Sequence, residues 1–198
     1  MIIGITGNIA SGKTEVAKIL KQSLGGIVIN ADRVAHELYT PHSPVWQAIV
    51  REFGKSILLK NTNEIKRSAL GAIVFRERAK LKLLEAIVHP VLVREIKKQI
   101  AMLQKKSPTM PIILEVIKLL ESPLLKLVDK LILVTTSKEE QISRLLNKDY
   151  TMEESLARID TYKIPENVPN VTWKIENTKG LKALLHKVEK ECMQNLGL

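Results

Sequence analysis

Ile2 to Thr6 is an apolar, largely β-branched run that ends at Gly7 and reads as a buried strand. Lys13 to Leu24 then reads as a helix closed by Gly25-Gly26. Further strands are predicted at Ile27 to Asn30, at Ile112 to Val116 after Pro111, at Leu131 to Thr135 and at Thr172 to Ile175. Helical patterns lie between them, two with capping-box spacing (Ser137 with Glu140, Thr151 with Glu154), and Leu181 to Cys192 patterns as an amphipathic helix against the sheet. Strands alternating with helices imply an α/β fold, a five-stranded parallel sheet wrapped by helices. The 31–110 interval is far longer than one crossover needs and is the candidate for a helical substrate-binding insert. The expected division is a core of about 1–31, 108–140 and 170–198, an insert of about 32–107 and a lid of about 141–169.

Composition narrows the class. With 198 residues, 45% hydrophobic and 26% charged, the chain fits one soluble domain able to bury about 70% of its unfolded surface, and a disordered, collagen-like or coiled-coil chain is excluded. The single Cys192 offers neither an internal disulfide nor a thiolate cluster and points to a reducing compartment. No apolar stretch approaches the roughly 18 residues of a membrane span. The strand-like start carries no basic lead, so no signal peptide is expected and the protein is read as cytoplasmic. The net charge of +10 is concentrated in residues 51–106, where fourteen Lys/Arg face five Asp/Glu. Such a segment suits nucleic acid, an acidic membrane surface or a polyanionic small molecule, or consists of solvated helix faces. Aromatic residues, 4% of the chain, do not interleave with the basic ones, which disfavours single-stranded nucleic acid.

The strongest signal follows the first strand: Gly7-Asn8-Ile9-Ala10-Ser11-Gly12-Lys13-Thr14 satisfies G-x-x-x-x-G-K-S/T. Its glycines let the backbone curl so that amides face anionic oxygens, and the following helix adds its positive end. Lys13 is expected to reach the β- and γ-phosphates of a nucleoside triphosphate, and the Thr14 hydroxyl to join a Mg²⁺ shell. These eight residues and Glu15 are the candidate nucleotide contacts.

A phosphate loop serves GTPases, motor ATPases and kinases alike. Asn147-Lys148-Asp149 is one residue short of guanine-reading N-K-x-D and lies in a helical stretch, so a GTPase is not indicated. A small-acceptor kinase needs a carboxylate at the end of a neighbouring strand, where open α/β sheets bind ligands. Asp32, after Asn30-Ala31, meets that need as general base; its alternative is a helix N-cap. Arg144 and Lys148, one helical turn apart, and Arg158 beyond a polar turn would make a cationic lid, or an exposed helical hairpin with ordinary surface charges.

Taken together these residues resemble the dephospho-coenzyme A kinase family, from Met1 to about Asn177. Besides the phosphate loop, Ala31-Asp32-Arg33-Val34-Ala35-His36-Glu37-Leu38 resembles the family's segment after its second strand. Lys66 to Phe75 is similar to its R-x-x-L-G-x-x-V-F stretch, and Leu83 to Pro90 to its L-E-x-x-x-H-P. Glu121-Ser122 matches the end of its third-strand motif, Arg144 a lid arginine, and Ile175-Glu176-Asn177 its I-x-N near the adenine.

The resemblance implies a three-layer α/β/α core of the P-loop nucleotide-kinase type with a helical acceptor-binding insert and a mobile lid. It implies an ATP-dependent phosphotransferase with an alcohol acceptor, the ribose 3′-hydroxyl of dephospho-coenzyme A, in the last step of coenzyme A synthesis. Asp32 would be the base and Lys13, Arg144 and Mg²⁺ would stabilise charge. Asn30, Arg67, His89 and Glu121 would lie on the acceptor side, although Arg67 could instead cap a helix and His89 pack before a Pro bend. The basic segment would meet the acceptor's pyrophosphate. No nucleic-acid or membrane partner is expected, and a monomer is. This chain departs from the family in Asn30, where an aspartate is usual, in Ile117-Lys118-Leu119 for P-L-L, and in Lys148 and Tyr162 for a lid arginine and glutamine. Those departures keep open a kinase for another nucleoside or nucleotide. From a different class, a nucleotide-regulated nucleic-acid-binding protein would use the basic segment, but no helix-turn-helix, zinc or aromatic-platform signature supports it.

Overall fold

A computed structural model describes residues 1–197 of the chain. In order, the elements are β1 (Ile2–Gly7), α1 (Lys13–Leu24), β2 (Ile27–Asn30), α2 (Ala31–Glu37), α3 (Pro44–Phe53), α4 (Arg67–Arg76), α5 (Arg78–Lys106), β3 (Ile112–Glu115), β4 (Lys130–Thr135), α6 (Lys138–Leu146), α7 (Met152–Asp160), β5 (Val171–Glu176) and α8 (Gly180–Leu196). Two compact units divide them. The first holds residues 1–31 and 98–197, and the second holds 32–97. Residues 141–169 fall in the first unit, and the division between the units comes within α5, at Lys97.

The first unit is built on a five-stranded, wholly parallel sheet in the order β2-β3-β1-β4-β5. Parallel strands carry helices on their faces and read as continuous apolar runs, which is why every residue of β1 is buried. Ile3 and Ile5 point to one side. There they belong to one buried cluster with Val16 and Leu20 of α1, Val188 and Leu196 of α8, Ile132 and Val134 of β4, and Trp173 and Ile175 of β5. Trp173, 5% exposed, is a core residue rather than a stacking platform, and Cys192 is buried in the same cluster.

The opposite face of β1 is closed by two 3₁₀ turns, Leu119–Glu121 and Pro123–Leu127. Gly4 makes their approach possible, since a Cβ there would lie 2.8 Å from Leu119 Cδ2 and 2.8 and 2.9 Å from the two Val128 methyls. Gly4→Ala is therefore expected to overpack this face and destabilise by about 1–3 kcal/mol. In thermal melts of a chain this size that lowers Tm by about 3–10 °C, and an unchanged Tm would show that Leu119 and Val128 can yield.

Local signals account for several of the helix ends. Gly25 stops α1 in the left-handed conformation (φ 65°). Thr151 and Glu154 form the complete capping box of α7. At α6 only half the box forms: Ser137 accepts from the Glu140 amide, but the Glu140 carboxylate pairs with Arg144 at 2.9 Å. α6 ends at Leu146, so Lys148 lies in the turn beyond it and is not stacked one helical turn above Arg144. Asn147–Asp149 belongs to that same turn, not to a helix.

The second unit is helical. Ser43 caps α3 by accepting from the Trp46 amide, and the Trp46 indole donates to Asn63 O at 2.8 Å. α5 continues through Pro90, so His89 stands inside a helix rather than before a bend.

Candidate active site

The phosphate loop joins β1 to α1, and its geometry depends on two glycines. A Cβ on Gly7 would lie 1.8 Å from the Val134 carbonyl oxygen, so only glycine lets the end of β1 lie this close to β4. Gly12 (φ 97°) precedes α1 in the left-handed region, and a Cβ there would lie 2.4 Å from Asn177 Nδ2. Between them Ala10 has φ 57°, a conformation a non-glycine residue keeps only when its surroundings hold it.

Three side chains hold it. Lys13, 9% exposed, curls back so that Nζ donates to Gly7 O at 3.2 Å and Asn8 O at 2.6 Å. Arg144 Nη1 donates to Ala10 O at 3.1 Å, while its Nη2 donates to Asn177 O at 2.9 Å and pairs with Glu140. Asn177 Nδ2 donates to Ser11 O at 2.8 Å. Asn177 is itself fixed at the end of β5, where its amide donates to Thr135 O and its carbonyl also accepts from the Thr136 hydroxyl. Ser11 Oγ and Asn177 Oδ1 are buried without hydrogen-bond partners, so this network is not fully satisfied by protein groups. Arg144 thus ties the loop to the end of β5 by donating to backbone carbonyls on both.

At the start of α1 the exposed Thr14 hydroxyl donates to Glu115 Oε1 at 2.6 Å. Asn30 Nδ2 donates to Glu115 Oε2, also at 2.6 Å. Glu115 ends β3 at 6% exposure, and β3 lies between β1 and β2, so the carboxylate stands beside the strand that enters the phosphate loop. Sequence reasoning missed this residue. A signal was available: a lone acid in the apolar run Ile112–Val116 is expensive to bury unless it is bonded to donors. A hydroxyl and a carboxylate oxygen this close are hard donors of the kind that, with phosphate oxygens and water, suit Mg²⁺. No group of three or more His, Cys, Asp or Glu side chains converges among the described residues, so a dedicated all-protein metal cage is not present there.

The remaining candidates are more dispersed. Glu15 lies on the surface of α1, paired with Lys18 at 2.8 Å. Glu121 is exposed on the 3₁₀ turn after β3. Tyr162, 5% exposed, sits against Thr6, whose hydroxyl already donates to Ile117 O; burial raises the Tyr162 phenol pKa, and no hydrogen bond of good geometry reaches its oxygen. Arg158 stacks over the Tyr150 ring at 4.0 Å.

In the second unit Asp32 is exposed in the first turn of α2, inside the helix rather than at its cap. Asp32 and Arg67 share one electrostatic environment. Burial, then Arg67, lowers the His36 pKa against the opposing pull of Asp32. Burial, then Asp32, pushes the Tyr39 phenol up to about 12. The His36 and Tyr39 rings meet edge-on, with centroids 5.9 Å apart. Arg67 opens α4 and is exposed, and His89 is half-buried on α5.

A parallel sheet, a glycine-bounded phosphate loop and a buried carboxylate bonded to the loop's threonine define a P-loop nucleotide-binding fold. Shikimate kinase from Acinetobacter baumannii shares that fold, with a TM-score of 0.55 at 16% identity over 98% of this chain and 93% of its own. The family model described as dephospho-CoA kinase matches residues 1–182, and the chain belongs to that family. Dephospho-CoA kinase of Carboxydothermus hydrogenoformans is 39% identical over 90% of this chain and 89% of its own length. That of Fusobacterium nucleatum is 36% identical over 97% of each. The solved dephospho-CoA kinase from Campylobacter jejuni superposes with a TM-score of 0.62 at 28% identity, covering 98% of this chain and 96% of its own.

Proposed function

We propose that this protein is an ATP-dependent kinase that phosphorylates the ribose 3′-hydroxyl of dephospho-coenzyme A, giving coenzyme A and ADP. The observation that carries the chemistry is the Thr14–Glu115 hydrogen bond at the mouth of the phosphate loop. Membership of the dephospho-CoA kinase family carries the acceptor.

In this reading the loop amides and Lys13 receive the β- and γ-phosphates, with Lys13 exchanging the Gly7 and Asn8 carbonyls for phosphate oxygens. Thr14 and Glu115 would hold Mg²⁺, which when bound offsets the negative charge of the phosphates. Asp32 accepts the 3′-hydroxyl proton as the new O–P bond forms and the bond between the γ-phosphorus and the β–γ bridging oxygen breaks, so ADP leaves with that electron pair. Arg144 and Asn177 keep the loop in its strained shape, so the phosphate-binding amides are arranged before nucleotide arrives. Arg67 and His89 face the acceptor, and the excess of positive charge in residues 51–106 favours its pyrophosphate.

A monomer in the cytoplasm completes the reading. Among the described residues no helix is long and apolar enough to cross a membrane. The test is product identity: incubation with ATP, Mg²⁺ and dephospho-coenzyme A should yield coenzyme A, with the new phosphate on the 3′-oxygen by ³¹P NMR. Phosphate found elsewhere on the acceptor, or none transferred, contradicts it.

A further inference from the structure

Asn30 and Glu115 are register partners at the carboxyl ends of adjacent parallel strands, β2 and β3. Their side chains meet at 2.6 Å, and the other Glu115 oxygen takes the Thr14 hydroxyl at the same distance. A carboxylate only accepts, so the amide nitrogen of Asn30 must face it. Each oxygen of a nearly buried carboxylate therefore has its own donor, one from the phosphate-loop helix and one from β2. An aspartate at position 30 would set acceptor against acceptor at that distance.

We infer that Asn30 is a positioning residue that fixes the Glu115 carboxylate toward Thr14, and that it does not contact the acceptor. The inference deepens the proposed function, because it rests on reading Thr14 and Glu115 as the divalent-cation side of a nucleotide site. It also explains why an amide is compatible with phosphoryl transfer here. Glu115 supplies the acidic group, and its orientation requires a donor. Outer partners that orient a metal-binding group typically influence metal affinity 10–100-fold.

The test is direct Mn²⁺ binding to the ADP-saturated protein, read by electron paramagnetic resonance without turnover, beside the KM for dephospho-coenzyme A. Asn30→Ala should weaken Mn²⁺ by about tenfold while leaving metal-free ADP affinity and the acceptor KM within about twofold. Asn30→Gln, which keeps the donor on a longer stem, should recover most of the Mn²⁺ affinity. Unchanged Mn²⁺ affinity with a raised acceptor KM would overturn the inference and make Asn30 an acceptor contact. Equal losses of Mn²⁺ and metal-free ADP binding with a lowered Tm, and no recovery in Asn30→Gln, would overturn it in favour of a purely structural role. A parent protein that binds no Mn²⁺ beside ADP would overturn it outright. Absence of transfer to dephospho-coenzyme A would defeat the proposed function alone, since the Mn²⁺ comparison needs no acceptor.

Discussion

Asp32→Asn is expected to slow phosphoryl transfer by about 10²–10⁴-fold, the usual contribution of a general base, while ATP affinity stays within about twofold. The substitution is nearly isosteric and removes only the proton acceptor. Asp32 lies two residues beyond Asn30, whose amide is bonded to Glu115, while the residues that hold the phosphate loop itself are Lys13, Arg144 and Asn177. Loss of a carboxylate from the first turn of α2 gives up a favourable interaction with the helix N-terminus of about 0.5 kcal/mol, so Tm should fall by no more than about 2 °C. Single-turnover rates and calorimetric ATP binding separate the two effects. Parallel losses of binding and rate would remove Asp32 from the role of base.

Lys13→Met should lower both ATP affinity and turnover, turnover by about 10²-fold or more. Methionine keeps much of the apolar stem of a side chain that is 9% exposed but removes the ammonium. Two consequences follow from one deletion. The developing negative charge on the γ-phosphoryl loses a cation, and the Gly7 and Asn8 carbonyls lose a charged donor, each such bond being worth about 1.5–3 kcal/mol. The variant should therefore also melt at a lower temperature than Asp32→Asn, and because its ATP affinity falls the deficit should widen when ATP is added. Turnover near that of the parent would show that the loop is not the nucleotide site.

The sheet was legible because its central strands, buried on both faces, leave short apolar, β-branched runs bounded by glycine, proline or polar residues, and all five strands fall within two residues of their expected limits. The phosphate loop was legible because its glycines are required by contacts a Cβ would violate, against Val134 and Asn177. The helices of residues 32–97 were legible only as a helical interval. Pro90 lies inside α5, and a proline read from sequence alone suggests a bend or an end. Lys148 was misplaced because α6 stops at Leu146, where no glycine or proline announces the end.

Two features of the site were legible as residues but not in what they bond to. Arg144 is recognisable as a cation, but its bonds go to the backbone carbonyls of Ala10 and Asn177, and any residue type could supply those. Glu115 was hidden inside a strand, and its partners Thr14 and Asn30 lie 101 and 85 residues away in the chain. The amide at position 30 looked like the loss of an acceptor-side carboxylate. Beside Glu115 it is a hydrogen-bond donor, and that difference is visible only once β2 and β3 are in register.

The central claim is that the chain transfers phosphate to one particular alcohol. ADP release by the purified protein with ATP and Mg²⁺, compared across dephospho-coenzyme A, adenosine, AMP and no acceptor, tests it most directly. Release dependent on dephospho-coenzyme A, with coenzyme A formed in equal amount, is the predicted result. Equal release with every acceptor or with none, or release that favours adenosine or AMP, would contradict it.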